Sequence, residues 1–171
     1  MTEDEILDDL RKILESEKAS GDFEGWKERD DGDSLLLNVA LDVLSETLGT
    51  ARLAIRAVKS SADRDCSATL IVTIQGRDLR VWRMDWRPVH SHTNRCGGRE
   101  YKGLTSWTGI HEFACNAKLG LKRMQSEDLP ICVPIEDEPH DFDAFVRYVS
   151  QALKVSITDQ ILGPPWSRRL L

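Results

Sequence analysis

Between positions 83 and 111 stand several side chains suited to moving protons and holding phosphate: Arg83, Asp85, Arg87, His90, His92, Arg95 and His111. Imidazoles that titrate near neutrality can serve as general base and general acid in RNA cleavage, where the 2′-hydroxyl attacks its own phosphate. Arginines offset the charge that builds on phosphorus, and a carboxylate fixes an imidazole tautomer. On that reading His90, His92, His111 and Asp85 are catalytic, while Arg83, Arg87 and Arg95 bind phosphate. The acid–base scheme needs no cofactor. A second chemistry is open to the same stretch, because His90, His92, Cys96 and His111 offer the nitrogen and sulfur donors that zinc takes. Neither spacing is specific, and a polar, histidine-bearing loop is also an ordinary solvated loop.

The segment that must position these groups reads as a strand, Leu79 to Trp86, that ends at Pro88. Strict alternation puts Leu79, Val81, Arg83 and Asp85 on one face and Arg80, Trp82, Met84 and Trp86 on the other. A strand that starts apolar and ends charged suggests a core opening into a cleft. His111 falls near the start of a further strand, about Gly109 to Leu119, and shares that mouth if the strands pair. Trp86, Tyr101 and Trp107 flank the stretch and could stack on bases; core positions are the expectation for Trp82 and Trp86.

The strand end Arg83-x-Asp85-x-x-Pro88, followed by His92-Thr93-Asn94 and the later His111, resembles the small toxin nucleases of bacterial toxin–antitoxin pairs. It is similar also to an uncharacterised family of small bacterial and phage proteins in which Arg-x-Asp leads into His-Thr-Asn and then a His-x-His strand. The likeness spans about residues 80–115 and the aromatic helix at 142–153. It implies a ribonuclease-like activity on RNA carried by these positions. Two departures stand out: the first histidines here are separated rather than adjacent, and Ile110-His111-Glu112-Phe113 offers one histidine where those families show two.

The remaining elements follow from capping and periodicity. Thr2 and Glu5 make a capping box, and Ile6, Leu7, Leu10, Ile13 and Leu14 form a helical stripe that ends at Ser20-Gly21. A second helix is expected from about Ser34 to Leu48, closed by Gly49. Strands follow at Leu53–Ala57 and Ala68–Ile74, the latter joined to Leu79–Trp86 by a turn at Gln75-Gly76. A last helix begins near Asp141, with His140 at its cap, and residues 163–171 form an irregular tail. The expected fold is α+β in one domain over 1–171: an antiparallel sheet of about four to five strands, with two N-terminal helices and one C-terminal helix packed on it.

Charge adds a competing function. The net charge of −6 at 171 residues hides segregation: residues 1–33 and 127–143 are strongly acidic, whereas 77–102 carry seven bases against three acids. A basic balance favours a phosphate-bearing partner such as RNA. The acidic segments favour a non-enzymatic protein, phage-encoded inhibitor or nucleic-acid mimic among them, that binds a basic partner. A third reading is that bases and acids simply answer each other within the fold. The acidic start and the lack of a long apolar run predict a cytoplasmic chain with no membrane partner. Cysteines 66, 96, 115 and 132 form no Cys-x-x-Cys pair and are expected as reduced thiols, with Cys115 and Cys132 buried.

Overall fold

The computed structural model describes residues 1–156 and Trp166. In chain order the elements are α1 (Glu3–Glu15), β1 (Lys18–Phe23), β2 (Lys27–Glu28), β3 (Ser34–Val43), β4 (Thr50–Val58), β5 (Cys66–Ile74) and β6 (Arg77–Trp86). Then come β7 (His92–Thr93), α2 (Gly98–Tyr101), β8 (Thr105–Ser106), β9 (Gly109–His111), α3 (Phe113–Asn116), a 3-10 turn at Ala117–Leu119 and α4 (Leu121–Ser126). The last three are β10 (Val133–Pro134), α5 (Phe142–Ala152) and β11 (Val155–Ser156).

The fold is α+β, with a sheet larger than expected: nine strands in the order β10-β9-β6-β5-β4-β3-β1-β11, with β2 also on β3, and β7-β8 as a separate pair. Every neighbour pair is antiparallel except β1 with β11, which is parallel. Among the described residues there are five α-helices rather than three.

The helix expected over Ser34–Leu48 is strand β3. Leu35, Leu37, Val39 and Leu41 are buried while Asn38, Ala40 and Asp42 are exposed, a period of two. Gly49 closes no helix; it enters β4, where a Cβ would meet Val72 Cγ1 at 2.6 Å. The N-terminal helix keeps its capping box but stops at Glu15, and its expected continuation is β1. The strand expected over Gly109–Leu119 lasts only to His111 before α3 and the 3-10 turn begin. At the last helix Asp141 is the cap, accepting from Ala144 N at 2.8 Å, with His140 beside it. Of the tail, all but Trp166 lies outside the described residues; the Trp166 ring stands edge-on to Phe142 at 5.2 Å.

One face of the sheet holds the core. Leu53, Ile55, Leu70, Val72, Met84 and Trp86 are fully buried, together with Leu10 and Ile13 of α1 and Phe145 and Val149 of α5. Trp86 stacks on Phe145 at 5.1 Å and donates its indole N–H to Pro139 O. The hairpin β5–β6 turns at Gln75 and Gly76, both with positive φ, as a two-residue turn with the twist of its strands requires. A bulge at Val81 then resets β6: Ile71 pairs with Arg80, but Leu70 pairs with Trp82. Val81 and Trp82 therefore both turn inward, and Arg80 joins Arg83 and Asp85 on the opposite face. That corrects the strict alternation, which a bulge breaks by one residue. The opposite face is a groove lined by Arg52, Ala54, Arg56, Ser67, Thr69 and Arg83 among others.

Candidate functional site

β6 and β9 place Arg83 directly opposite His111, so their side chains share a face. Asp85, two residues on, points the same way. The lobe between β6 and α5 closes over this end of the sheet, and His111 becomes fully buried. Its Nδ1 donates to Leu129 O at 2.5 Å. Its Nε2 lies 2.8 Å from Arg83 Nη2 and 3.0 Å from Asp85 Oδ2. A neutral ring therefore accepts from Arg83, and a protonated ring donates to Asp85. Arg83 completes the set through Asp128, with Nη1 2.6 Å from Oδ2, while Arg80 Nη1 is 3.1 Å from Oδ1.

His92 enters from β7. Its ring sits edge-on to His111 with centroids 5.1 Å apart, and its Nε2–H donates to Pro130 O at 3.0 Å. The neutral tautomer is thereby fixed with the lone pair on Nδ1. One short turn receives three of these donors, since the consecutive carbonyls of Asp128, Leu129 and Pro130 accept from Arg83, His111 and His92. Asp128 and Leu129 both hold positive φ, 56° and 54°, a conformation a leucine adopts only when its surroundings force it. Burial of the Leu129 side chain and the three clamped carbonyls do so here.

The electrostatics follow from that geometry. Burial pushes the Asp85 carboxyl up, but the bond from His111 and the charge of Arg83 outweigh it and hold it below its ordinary value. Burial lowers His92, and the neighbouring His111 and Arg83 push the same way against the Pro130 bond. A histidine lowered in the folded state costs stability in acid, because below its ordinary value of 6.5 the unfolded chain takes up the proton first. Urea midpoints should accordingly fall between pH 7.5 and the lowered folded value, and His92→Gln should flatten part of that fall. An equal fall in the variant would remove His92 as its source.

The positions singled out in the sequence separate into two groups. Arg83, Asp85, His92 and His111 converge. His90 is exposed and outside the network. Arg87, also at positive φ, lies over the Trp86 ring and pairs with Glu138 at 2.6 Å. Arg95 is exposed in the lobe. Asp128 belongs to the site although nothing in its acidic, proline-rich segment singled it out; only the charge of the facing strand offered a hint. His90, His92, Cys96 and His111 do not assemble as a zinc set, since no three His, Cys, Asp or Glu side chains among the described residues come together as metal ligands. Both His111 nitrogens are already engaged.

The four cysteines are free thiols, and Cys66, Cys115 and Cys132 are buried while Cys96 is half-buried. Trp82 and Trp86 are core residues, whereas Trp107 is exposed. No helix among the described residues is long and apolar enough to cross a membrane. No protein-family model, curated protein or solved structure matches the chain.

Proposed function

We propose that this protein is a small ribonuclease-like enzyme, of the kind that serves as a toxin, with its reaction centre where β6, β9 and the 128–130 turn meet. The observation that carries the reading is the convergence of Arg83, Asp85, His92 and His111 from three separate segments, with Arg83, His92 and His111 bonded to one turn. His92 is the base, since it is half-buried rather than sealed, its tautomer is fixed, and its lowered proton affinity keeps it neutral at pH 7. Its Nδ1 takes the proton of a 2′-hydroxyl as that oxygen attacks phosphorus. The P–O5′ bond breaks, and water protonates the departing 5′-oxygen. His111, fully buried, is a positioning residue that transmits the state of Asp85 and Arg83. Arg83 supplies the positive charge beside the site.

The test is cleavage of end-labelled RNA in the presence and absence of chelator, beside His92→Gln. Expected are cyclic-phosphate ends, survival in chelator and a loss of about 100-fold in the variant. No cleavage by folded wild type would sink the reading.

One observation favours the third reading of the charge pattern, in which bases and acids answer each other within the fold. Arg83, Arg80 and Arg87 pair with Asp128 and Glu138, so the acidic 127–143 segment largely answers the basic strand within the chain.

A further inference from the structure

Arg80 and Arg83 of β6 are paired internally with Asp128, and on the uncovered sheet face Arg52 pairs with Asp78 and Arg56 with Asp65. The bases of the lobe between β6 and α5 are different. Arg95, Lys102 and Lys118 are exposed, and among the described residues none of them is in an ion pair. With Arg123, which pairs with Glu127, they line a groove whose only carboxylate among the described residues is Glu100. Of the basic stretch 77–102, Arg95 and Lys102 thus keep their charge available in this lobe.

The groove leaves room for a ligand backbone to approach closely. At Gly98, in its lining, a Cβ would meet nothing within 4 Å, so the backbone there is open to close approach. Tyr101 is half-buried in the wall and offers an aromatic face. Spaced cations with an aromatic among them are the composition of a single-strand track, in which charge follows the backbone and rings take bases.

The groove is also tied to the reaction centre. Asn94, next but one to His92, donates its amide to Tyr101 O at 3.1 Å and Cys132 O at 2.9 Å and accepts from Cys132 N at 2.9 Å. On the other side α4 is pinned to β6, because the Gln125 amide both accepts from Arg80 N at 2.9 Å and donates to Arg80 O at 2.8 Å. These bonds hold the groove and His92 in fixed relation.

We infer that the lobe groove of Arg95, Lys102, Lys118 and Arg123 is a docking track for the sugar-phosphate backbone of single-stranded RNA, which it delivers to His92. The inference rests on the ribonuclease-like reading, but binding tests it apart from cleavage. Anisotropy of a labelled oligouridine is measured across a salt series with the full-length chain, with Lys102→Glu/Lys118→Glu, and with His92→Gln. The charge-reversed positions are exposed, and circular dichroism checks that the variant folds. The lysine variant should bind at least about tenfold more weakly at low salt, with a salt slope reduced by about one to two. His92→Gln serves as the cleavage-deficient control that keeps the oligonucleotide intact during the titration. Equal affinity and slope in the lysine variant would overturn the track, whatever the cleavage result. Binding that persists without any cleavage would overturn the enzymatic reading and leave the track standing. Capture of polyglutamate in place of RNA would reassign the groove to an acidic protein and overturn it as an RNA track.

Discussion

Replacing Arg83 by methionine should destabilise the fold by about 3 kcal/mol, measured by urea unfolding at pH 7. The guanidinium is buried to within 17% and serves two carboxylates, an imidazole and a backbone carbonyl. Its removal leaves Asp85 with no cation beside it and frees the 128–130 turn from one of its three clamps. Breaking a buried pair by deleting one partner costs about 3–5 kcal/mol, because the other charge stays behind. The lower end applies, since Asp128 is 46% exposed and water can take it over. The double variant Arg83→Met/Asp85→Asn should recover part of the loss, because no stranded carboxylate then remains at the buried end. A single variant as stable as wild type would mean that the network is decoration rather than a clamp.

The second large effect lies far from the site, at Lys18. This lysine is 1% exposed, yet among the described residues it is in no ion pair, and Glu17 raises its proton affinity only as a minor influence. It donates instead to Leu14 O at 3.1 Å, Ser16 O at 2.7 Å and Leu153 O at 2.8 Å. Those carbonyls close the ends of α1 and α5, where a positive charge is favoured. Burial nevertheless lowers its pKa from 10.5 to about 8, with Lys154 adding to the effect. The folded chain gives up this proton before the unfolded chain does, so between those two values stability rises with pH. Relative to Lys18→Met, the wild type should gain about 3 kcal/mol from pH 8 to pH 10.5, as two to three pH units at about 1.4 kcal/mol each require. The comparison must be made against the variant, because the buried thiols act in the opposite sense. Burial raises Cys66 to about 12 and Cys132 to about 11, so alkali favours their ionisation in the unfolded chain. A difference that does not change with pH would show that Lys18 stays charged throughout.

Much of the candidate cluster was legible in the sequence, because its members are rare residue types placed where a strand ends. Arg83 and Asp85 alternate at that end, His92 follows in the loop, and His111 opens the next strand. A strand end that lies beside its neighbour brings such residues together with little further information. The structure leaves His90 outside the cluster and does not bring His90, His92, Cys96 and His111 together, for a reason that lies in the loop. Loop residues have no register to fix their direction, so proximity in sequence said nothing about where they face.

Elements declared by local rules were equally legible. The Thr2–Glu5 capping box, the Asp141 cap and the Gln75-Gly76 turn each satisfy backbone groups within a few residues. Strand β3 was not legible, because Leu36 and Ala40 on the open face are apolar too, and the burial alternation vanished into one apolar run. What only the tertiary structure decided is which partners the polar groups find. Asp128 met Arg83, and three carbonyls of the left-handed turn met Arg83, His111 and His92. Asp128 and Glu138 took up the charge of Arg80, Arg83 and Arg87, while Arg95, Lys102 and Lys118 of the lobe are in no ion pair among the described residues. The sequence by itself determined the α+β class, the capped helices, the hairpin and the residues capable of chemistry, since those follow from neighbours along the chain. The bulge at Val81, the clamp on the 128–130 turn and the surviving basic groove arise from pairings between distant segments, which composition and periodicity do not record.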